Sequence, residues 1–377
     1  MRGLRRGALL GAVLLLLFGE PWSVLVALPE WPVAGTVTGT VLFAAAMLAF
    51  PVLMYLGHGP RQSDAAARIG DGLLGAVWVL FSWSVLGHLL RLVLLLSGVD
   101  DPARPRIVAA ATVVVAAVLL ATGNRIAMRV PPIREVDVVL PRLGAGLDGV
   151  RVAVVTDTHF GPIDRTRWSE RVVAELNRLR PDVVCHGGDL ADGPVAKRRK
   201  QVDPFGGVEA PLGRFYITGN HEYFGEAQAW LDHMADLGWD TLHNRATLVE
   251  RDGARLLFAG VDDPTGAASG LPGHGPDLPA ALAGVDPDVP VFLLAHQPKQ
   301  VVQAREAGVD LQVSGHTHGG QIWPFHLLVR LDQRALSGLT RHGSRTQLYT
   351  SRGAGFWGPP FRVFAPNEIA LLTLRSG

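Results

Sequence analysis

Gly315-His316-Thr317-His318-Gly319-Gly320-Gln321 follows directly on the apolar run Val309 to Val313. A short apolar run bounded by glycine reads as a buried strand. Two histidines one residue apart on the glycine-rich turn leaving it can aim both imidazoles into one small volume, which is how ligands are presented to a metal. A solvated loop can carry the same pair, so its meaning depends on what the other strands deliver.

Working outward, Val291 to Ala295 is a strand capped by His296-Gln297-Pro298, with a helix through Ala307. Leu256 to Val261 precedes Asp262-Asp263-Pro264, where both acids read as turn residues. Phe215 to Thr218 ends in Gly219-Asn220-His221-Glu222. Val183 to His186 leads to Gly187-Gly188-Asp189, and Val150 to Thr156 to Asp157-Thr158-His159. Between the last two, Arg165 to Leu179 has helical spacing (Trp168, Val172, Val173, Leu176, Leu179) and stops before Pro181. Strand, helix, strand is the crossover of an α/β sheet, in which sites gather at the carboxyl ends of strands. Asp157 and Asp189 are then neighbours, and a cation between them would relieve their repulsion. Val136 to Leu140 reads as an edge strand and Ile369 to Leu374 as the last one.

Five apolar strands therefore end in Asp157/His159, Asp189, Asn220/His221, His296 and His316/His318, all hard or borderline metal ligands. Competing motifs fail. His221-Glu222 does not open His-Glu-x-x-His, because position 225 is Gly. Gly353-Ala354-Gly355-Phe356-Trp357-Gly358 matches the dinucleotide fingerprint, but Pro359-Pro360 forbids the helix it must open. The lone Cys185 reads as a small core residue. Lys+Arg number 35 against 34 Asp+Glu, so no nucleic-acid partner is expected, and Lys197 to Lys200 reads as a solvated face.

Residues 1–130 differ in kind, being dominated by Leu, Val and Ala. Apolar stretches at 8–28, 36–56, 73–96 and 107–122 predict an all-α domain of about four membrane spans, ahead of a second domain at 131–377. The first is interrupted at Glu20-Pro21 and the fourth is short unless it runs past Gly123. The first also has the form of a signal peptide, but no small-x-small cleavage site follows, and an uncleaved anchor is the better reading. With four spans, Arg2, Arg5, Arg6, Arg61, Arg68, Arg125, Arg129 and Arg134 share one side, opposite Arg104 and Arg106. By the positive-inside rule the C-terminal domain is then cytoplasmic, and losing one span would put it outside. His88 and Arg91 share a helix face near the end of the third span, where they are expected to snorkel.

The ordered set Asp-x-His, Gly-Asp, Gly-Asn-His, a lone His and Gly-His-x-His, over roughly Val150 to Leu374, resembles the calcineurin-like metallophosphoesterases. Ser314 to Gln321, Ala295 to Pro298 and Ser351-Arg352-Gly353 further resemble the branch containing the bacterial YaeI and YkuE phosphodiesterases, with Thr158 where that branch has Leu. The resemblance implies an α/β sandwich of central β-sheets flanked by helices. It also implies two divalent metal ions (Mn, Fe or Zn). Asp157, His159, Asp189 and His318 would hold one and Asp189, Asn220, His296 and His316 the other. Metal-bound hydroxide would be the nucleophile, and His221 would contact the phosphoryl oxygens or protonate the leaving group. Arg352 is a candidate phosphate contact, with a surface role as the alternative. The expected activity is hydrolysis of a phosphomonoester, phosphodiester or pyrophosphate at the membrane. A phospholipid or a lipid-linked nucleotide of the UDP-diacylglucosamine kind is the expected substrate class. The alternative is a membrane sensor or transporter module that binds such a ligand without turnover.

Overall fold

The computed structural model describes residues 2–377, with side chains described from residue 7 onward. The chain forms two compact units. The first comprises residues 2–125, Ile322–Pro324 and Gly358–Val363, and the second Ile126–Gln321, Phe325–Trp357 and Phe364–Gly377.

In the first unit, α1 (Arg2–Trp22) runs into a π-helical turn, Ser23–Ala27, followed by α2 (Val33–His58), α3 (Asp64–Leu96) and α4 (Ala103–Met128). All four helices are long and apolar enough to cross a membrane. Ser63 caps α3 by accepting from the Ala66 N–H at 3.4 Å. The interruption expected at Glu20-Pro21 does not occur, because Pro21 lies inside α1. Glu20 has its own solution: its Oε1 lies 2.7 Å from Nε2 of His88 on α3. This contact pairs His88, whose side chain stays 46% exposed, at a depth where a lone ionisable group would be costly. α4 runs past Gly123 and is correspondingly longer than the 107–122 stretch. The side chains of Arg2, Arg5 and Arg6, which entered the orientation argument, lie outside the described residues.

Two short segments far downstream belong to this unit. Ile322, Trp323, Phe361 and Val363 pack with Trp78, Val79, Trp83 and Ala116. The Asn124 amide donates to the Pro360 carbonyl at 2.9 Å, and the Arg362 N–H to that of Gly123 at 3.0 Å.

The second unit holds twelve strands: β1 (Ile133–Leu140), β2 (Arg151–Val155), β3 (Val183–His186), β4 (Gly213–Tyr216), β5 (Asp240–Thr241), β6 (Arg245–Arg251), β7 (Ala254–Gly260), β8 (Val291–Leu294), β9 (Leu311–Ser314), β10 (Gly338–His342), β11 (Thr346–Thr350) and β12 (Ile369–Ser376). They form two six-stranded sheets, ordered β1-β12-β2-β3-β4-β5 and β10-β11-β9-β8-β7-β6. β2, β3, β4 and β5 run parallel, as do β7, β8, β9 and β11, with antiparallel β6 and β10 at the second sheet's edges. The architecture is the sandwich expected from the sequence.

Period-two alternation explains why the central strands are apolar throughout. Val152 and Val154 of β2 face the core between the sheets, with Cys185, Phe215, Phe258, Phe292 and Val313. Ala153 and Val155 face the opposite side, where α5 (Thr166–Leu179) lays down Trp168, Val172 and Leu176. Cys185 is a core residue as expected, its thiol pKa pushed up by burial. At Lys197 to Lys200 the solvated-face reading holds for Lys197, Arg199 and Lys200, which are exposed, and fails for Arg198, which on the helix Val195–Val202 is buried with its Nε donating to the Asp192 carbonyl at 2.9 Å.

Phe215 of the first sheet stacks on Phe258 of the second at 4.7 Å between ring centroids, and Phe258 on Phe292 at 4.8 Å. Phe258→Ala should therefore lower unfolding free energy by about 3–5 kcal/mol. Denaturant titration in detergent checks this: the midpoint should fall with the slope unchanged.

Candidate metal centre

The clusters expected from the sequence meet at one end of the sandwich. β2, β3 and β4 of the first sheet deliver Asp157/His159, Asp189 and Asn220/His221, while β8 and β9 of the second deliver His296 and His316/His318. Each strand gives way to irregular backbone within a residue or two of its end. Asp157, His159, Asp189, His316 and His318 all have φ between 42° and 67°, the left-handed region that side chains other than glycine enter at a cost. Such turns point consecutive functional groups back toward the strand end. The glycines beside them are there for space. A Cβ on Gly315 would lie 2.2 Å from Thr156 Oγ1 and 2.3 Å from Asp157 Oδ2, and one on Gly219 would lie 2.2 Å from Asp189 Oδ1.

Ligand atoms of Asp157, His159, Asp189 and His318 lie within 4.8 Å of one another, and so do those of Asp189, His296 and His316. Asp189 is common to both groups. Its Oδ2 is 3.5 Å from His159 Nε2 and 3.2 Å from His296 Nε2. His318 Nε2 is 3.3 Å from Asp157 Oδ1 and 3.0 Å from His159 Nε2, and His316 Nδ1 is 2.9 Å from Asn220 Oδ1. All seven expected ligand residues are thus brought together, and His221 stands beside them with its ring centroid 4.5 Å from that of His159.

Backbone groups hold the carboxylates. The His316 N–H donates to Asp157 Oδ1 and the His221 N–H to Asp189 Oδ1, both at 2.9 Å. Nδ1 of His296 donates to the Gly187 carbonyl at 2.8 Å, which leaves the Nε2 lone pair facing the cluster. That Nε2 and Asp157 Oδ2 are buried without a hydrogen-bond partner. Two orphaned, buried acceptor atoms among imidazoles and carboxylates fit divalent cations. Burial pushes the carboxyl of Asp189 up, but the imidazoles of His296, His221 and His159 hold it well below the usual carboxylate range.

Three residues that sequence reasoning missed support this shell. Asp192 Oδ1 accepts from His159 Nδ1 at 2.9 Å and lies 2.8 Å from His221 Nδ1, fixing both rings. Burial works against a protonated His221, yet Asp189 and Asp192 raise its pKa to about 9. Glu222 is fully buried and accepts from the N–H groups of Gly219, Asp189, Leu190 and Ala191, tying two ligand loops together. Arg165 is buried against Phe160, Trp168 and Phe356, and its guanidinium donates to the carbonyls of Thr158 and His159. A sequence signal existed for two of them: Asp192 follows Asp189 by three residues, and Glu222 completes Asn220-His221-Glu222. Thr158 points away from the cluster, its hydroxyl donating to the Leu190 carbonyl at 2.8 Å. Arg352 is half-buried, its backbone N–H donating to Glu368 Oε1 at 3.4 Å.

Residues 150–320 match the family model for calcineurin-like phosphoesterases. An uncharacterized metallophosphoesterase of Campylobacter jejuni is 32% identical over 89% of this chain and 88% of its own length. That coverage exceeds what residues 131–377 can supply, so the likeness extends into the helical part. A transmembrane protein with metallophosphoesterase domain from Danio rerio is 34% identical over 70% of this chain and 62% of its own. An uncharacterized metallophosphoesterase of Helicobacter pylori is 39% identical over 65% and 64%. The chain thus spans less than two thirds of these last two relatives.

Asp192→Ala would leave two buried ring N–H groups without their acceptor. It should weaken divalent-metal binding by about 10- to 100-fold with the fold retained, as metal titration followed by calorimetry would read.

Proposed function

Since the chain belongs to the calcineurin-like metallophosphoesterase family, we propose that it is an integral-membrane, metal-dependent phosphoric ester hydrolase. The observation that carries this reading is the pair of ligand groups sharing Asp189. In it, Asp157, His159, Asp189 and His318 would hold one divalent cation and Asp189, Asn220, His296 and His316 the other. When bound, such a pair supplies Lewis-acid polarisation of a phosphoryl oxygen and lowers the pKa of water.

The chain's own residues do the rest. Asp192, 2.8 Å from His221 Nδ1, favours the protonated form of that imidazole. Because Nδ1 is engaged by Asp192, the proton available to a leaving-group oxygen is the one on Nε2. Asp192 also orients His159, and Glu222 fixes the spacing between the loops bearing Asp189 and Asn220.

For the substrate we favour a phosphorylated lipid or a lipid-linked nucleotide, of which a UDP-diacylglucosamine-like compound is one example. Supporting this, the same chain carries four helices long and apolar enough to cross a membrane. The arginine distribution across four spans supports a cytoplasmic catalytic domain.

Purified full-length protein in detergent, supplied with Mn²⁺, should hydrolyse an aryl phosphodiester. His221→Ala should lose about 10²- to 10⁴-fold in kcat, and Asp189→Asn should lose metal as well as rate. Wild-type rates in either folded variant would sink the mechanism. Phospholipids and lipid-linked nucleotides assayed beside soluble diesters test the substrate class, and a C-terminal reporter fusion tests the membrane side.

A further inference from the structure

A second convergence of ligands lies outside the centre described above. His243 follows β5, Asp262 follows β7, and His274 sits in the Gly/Pro-rich stretch that leads to Pro279. One ligand atom from each lies within 4.8 Å of the others, at a surface cavity of ≈ 520 Å³ that His243, Asn244 and His274 line. His243 Nδ1 is 2.7 Å from Asp262 Oδ1, and His274 Nδ1 is 3.7 Å from Asp262 Oδ2. The two rings lie 4.5 Å apart between centroids.

The surroundings prepare this trio for a cation. The carboxylate is 1% exposed and is held by the chain itself, Oδ2 accepting from the Gly275 N–H at 3.0 Å and from the Asn244 amide at 3.5 Å. Nε2 of His274 lies 3.1 Å from Gln228 Oε1, an acceptor, so the ring proton resides there and Nδ1 presents its lone pair. The Tyr223 hydroxyl lies 3.1 Å from that Nδ1.

A simple His243–Asp262 ion pair accounts for one imidazole. The second, His274, is held by Gln228 and Tyr223, and protonating both rings would set two like charges 4.5 Å apart between centroids. A single divalent cation uses all three groups.

We propose that His243, Asp262 and His274 form an additional divalent-cation site, separate from the seven-residue centre. Two imidazole nitrogens and one carboxylate oxygen, with a further position open to the cavity, suit Zn²⁺ best among common ions. The ion pins the loop after β7 to the turn after β5. That loop reaches the neighbours of two ligands of one group, Asn220 and His296. Tyr223 is three residues beyond Asn220, and Asp263 Oδ2 accepts from the Gln297 amide, next to His296, at 2.8 Å.

The test is a metal count by difference, which does not depend on activity. Full-length protein in detergent is stripped with a chelator, dialysed against Zn²⁺ and analysed by plasma mass spectrometry. His243→Ala and His274→Ala should each hold one equivalent less than wild type. Asp189→Asn, which disturbs the other centre, should keep the equivalent that His274→Ala loses. Limited proteolysis within 266–275 should slow at least tenfold on adding Zn²⁺ to wild type and not to His274→Ala. Equal zinc content in wild type and both histidine variants, or loop cleavage indifferent to Zn²⁺, overturns the proposal. A protein that binds the extra equivalent but hydrolyses no phosphoester refutes the functional reading and leaves this one standing.

Discussion

The constraint that organises the second unit is the burial of two carboxylates, Asp157 and Asp189, side by side at the ends of neighbouring parallel strands. Removing an ionised carboxylate from water costs several kcal/mol even after relaxation, so each must be held by groups already fixed in place. The structure meets this with backbone N–H donors from His316 and His221 and with imidazoles drawn from both sheets. Those donors are in range only because Gly315 and Gly219 have no Cβ. The phenylalanine stack between the sheets belongs to the same solution, because it fixes the distance between strand ends that supply different parts of the cluster.

Around that inner set, a second layer determines orientation. Asp192 reads two imidazoles with one oxygen, and Glu222 gathers four backbone N–H groups from two loops. Arg165 closes the turn at Thr158-His159 from below, its charge spread over three aromatic faces. Five left-handed non-glycine residues can persist only where the surroundings over-determine them, and this layer does so.

The inner set was legible in the sequence because each member stands at the end of an apolar run, and a strand's end is marked where glycine and polar residues begin. The outer layer was not, because Asp192 and Arg165 act from irregular or helical backbone whose place in space depends on the folded sheet. β6 and β10 escaped notice for another reason. Each lies at a sheet edge with a solvated face, so Arg245–Arg251 and Gly338–His342 lack the apolar runs of the central strands. Likewise, Glu20 and His88 are 68 positions apart, and only the packing of α1 against α3 makes one the partner of the other.

Ile322–Pro324 and Gly358–Val363 make residue 130 a poor place to cut the chain. A fragment beginning there would retain Trp323, Phe361 and Val363 while losing Trp78, Val79, Trp83 and Ala116, against which they pack. Its solubility would suffer from two apolar patches stripped of their cover, a hazard for any recombinant strategy that treats the phosphoesterase part as a free-standing module.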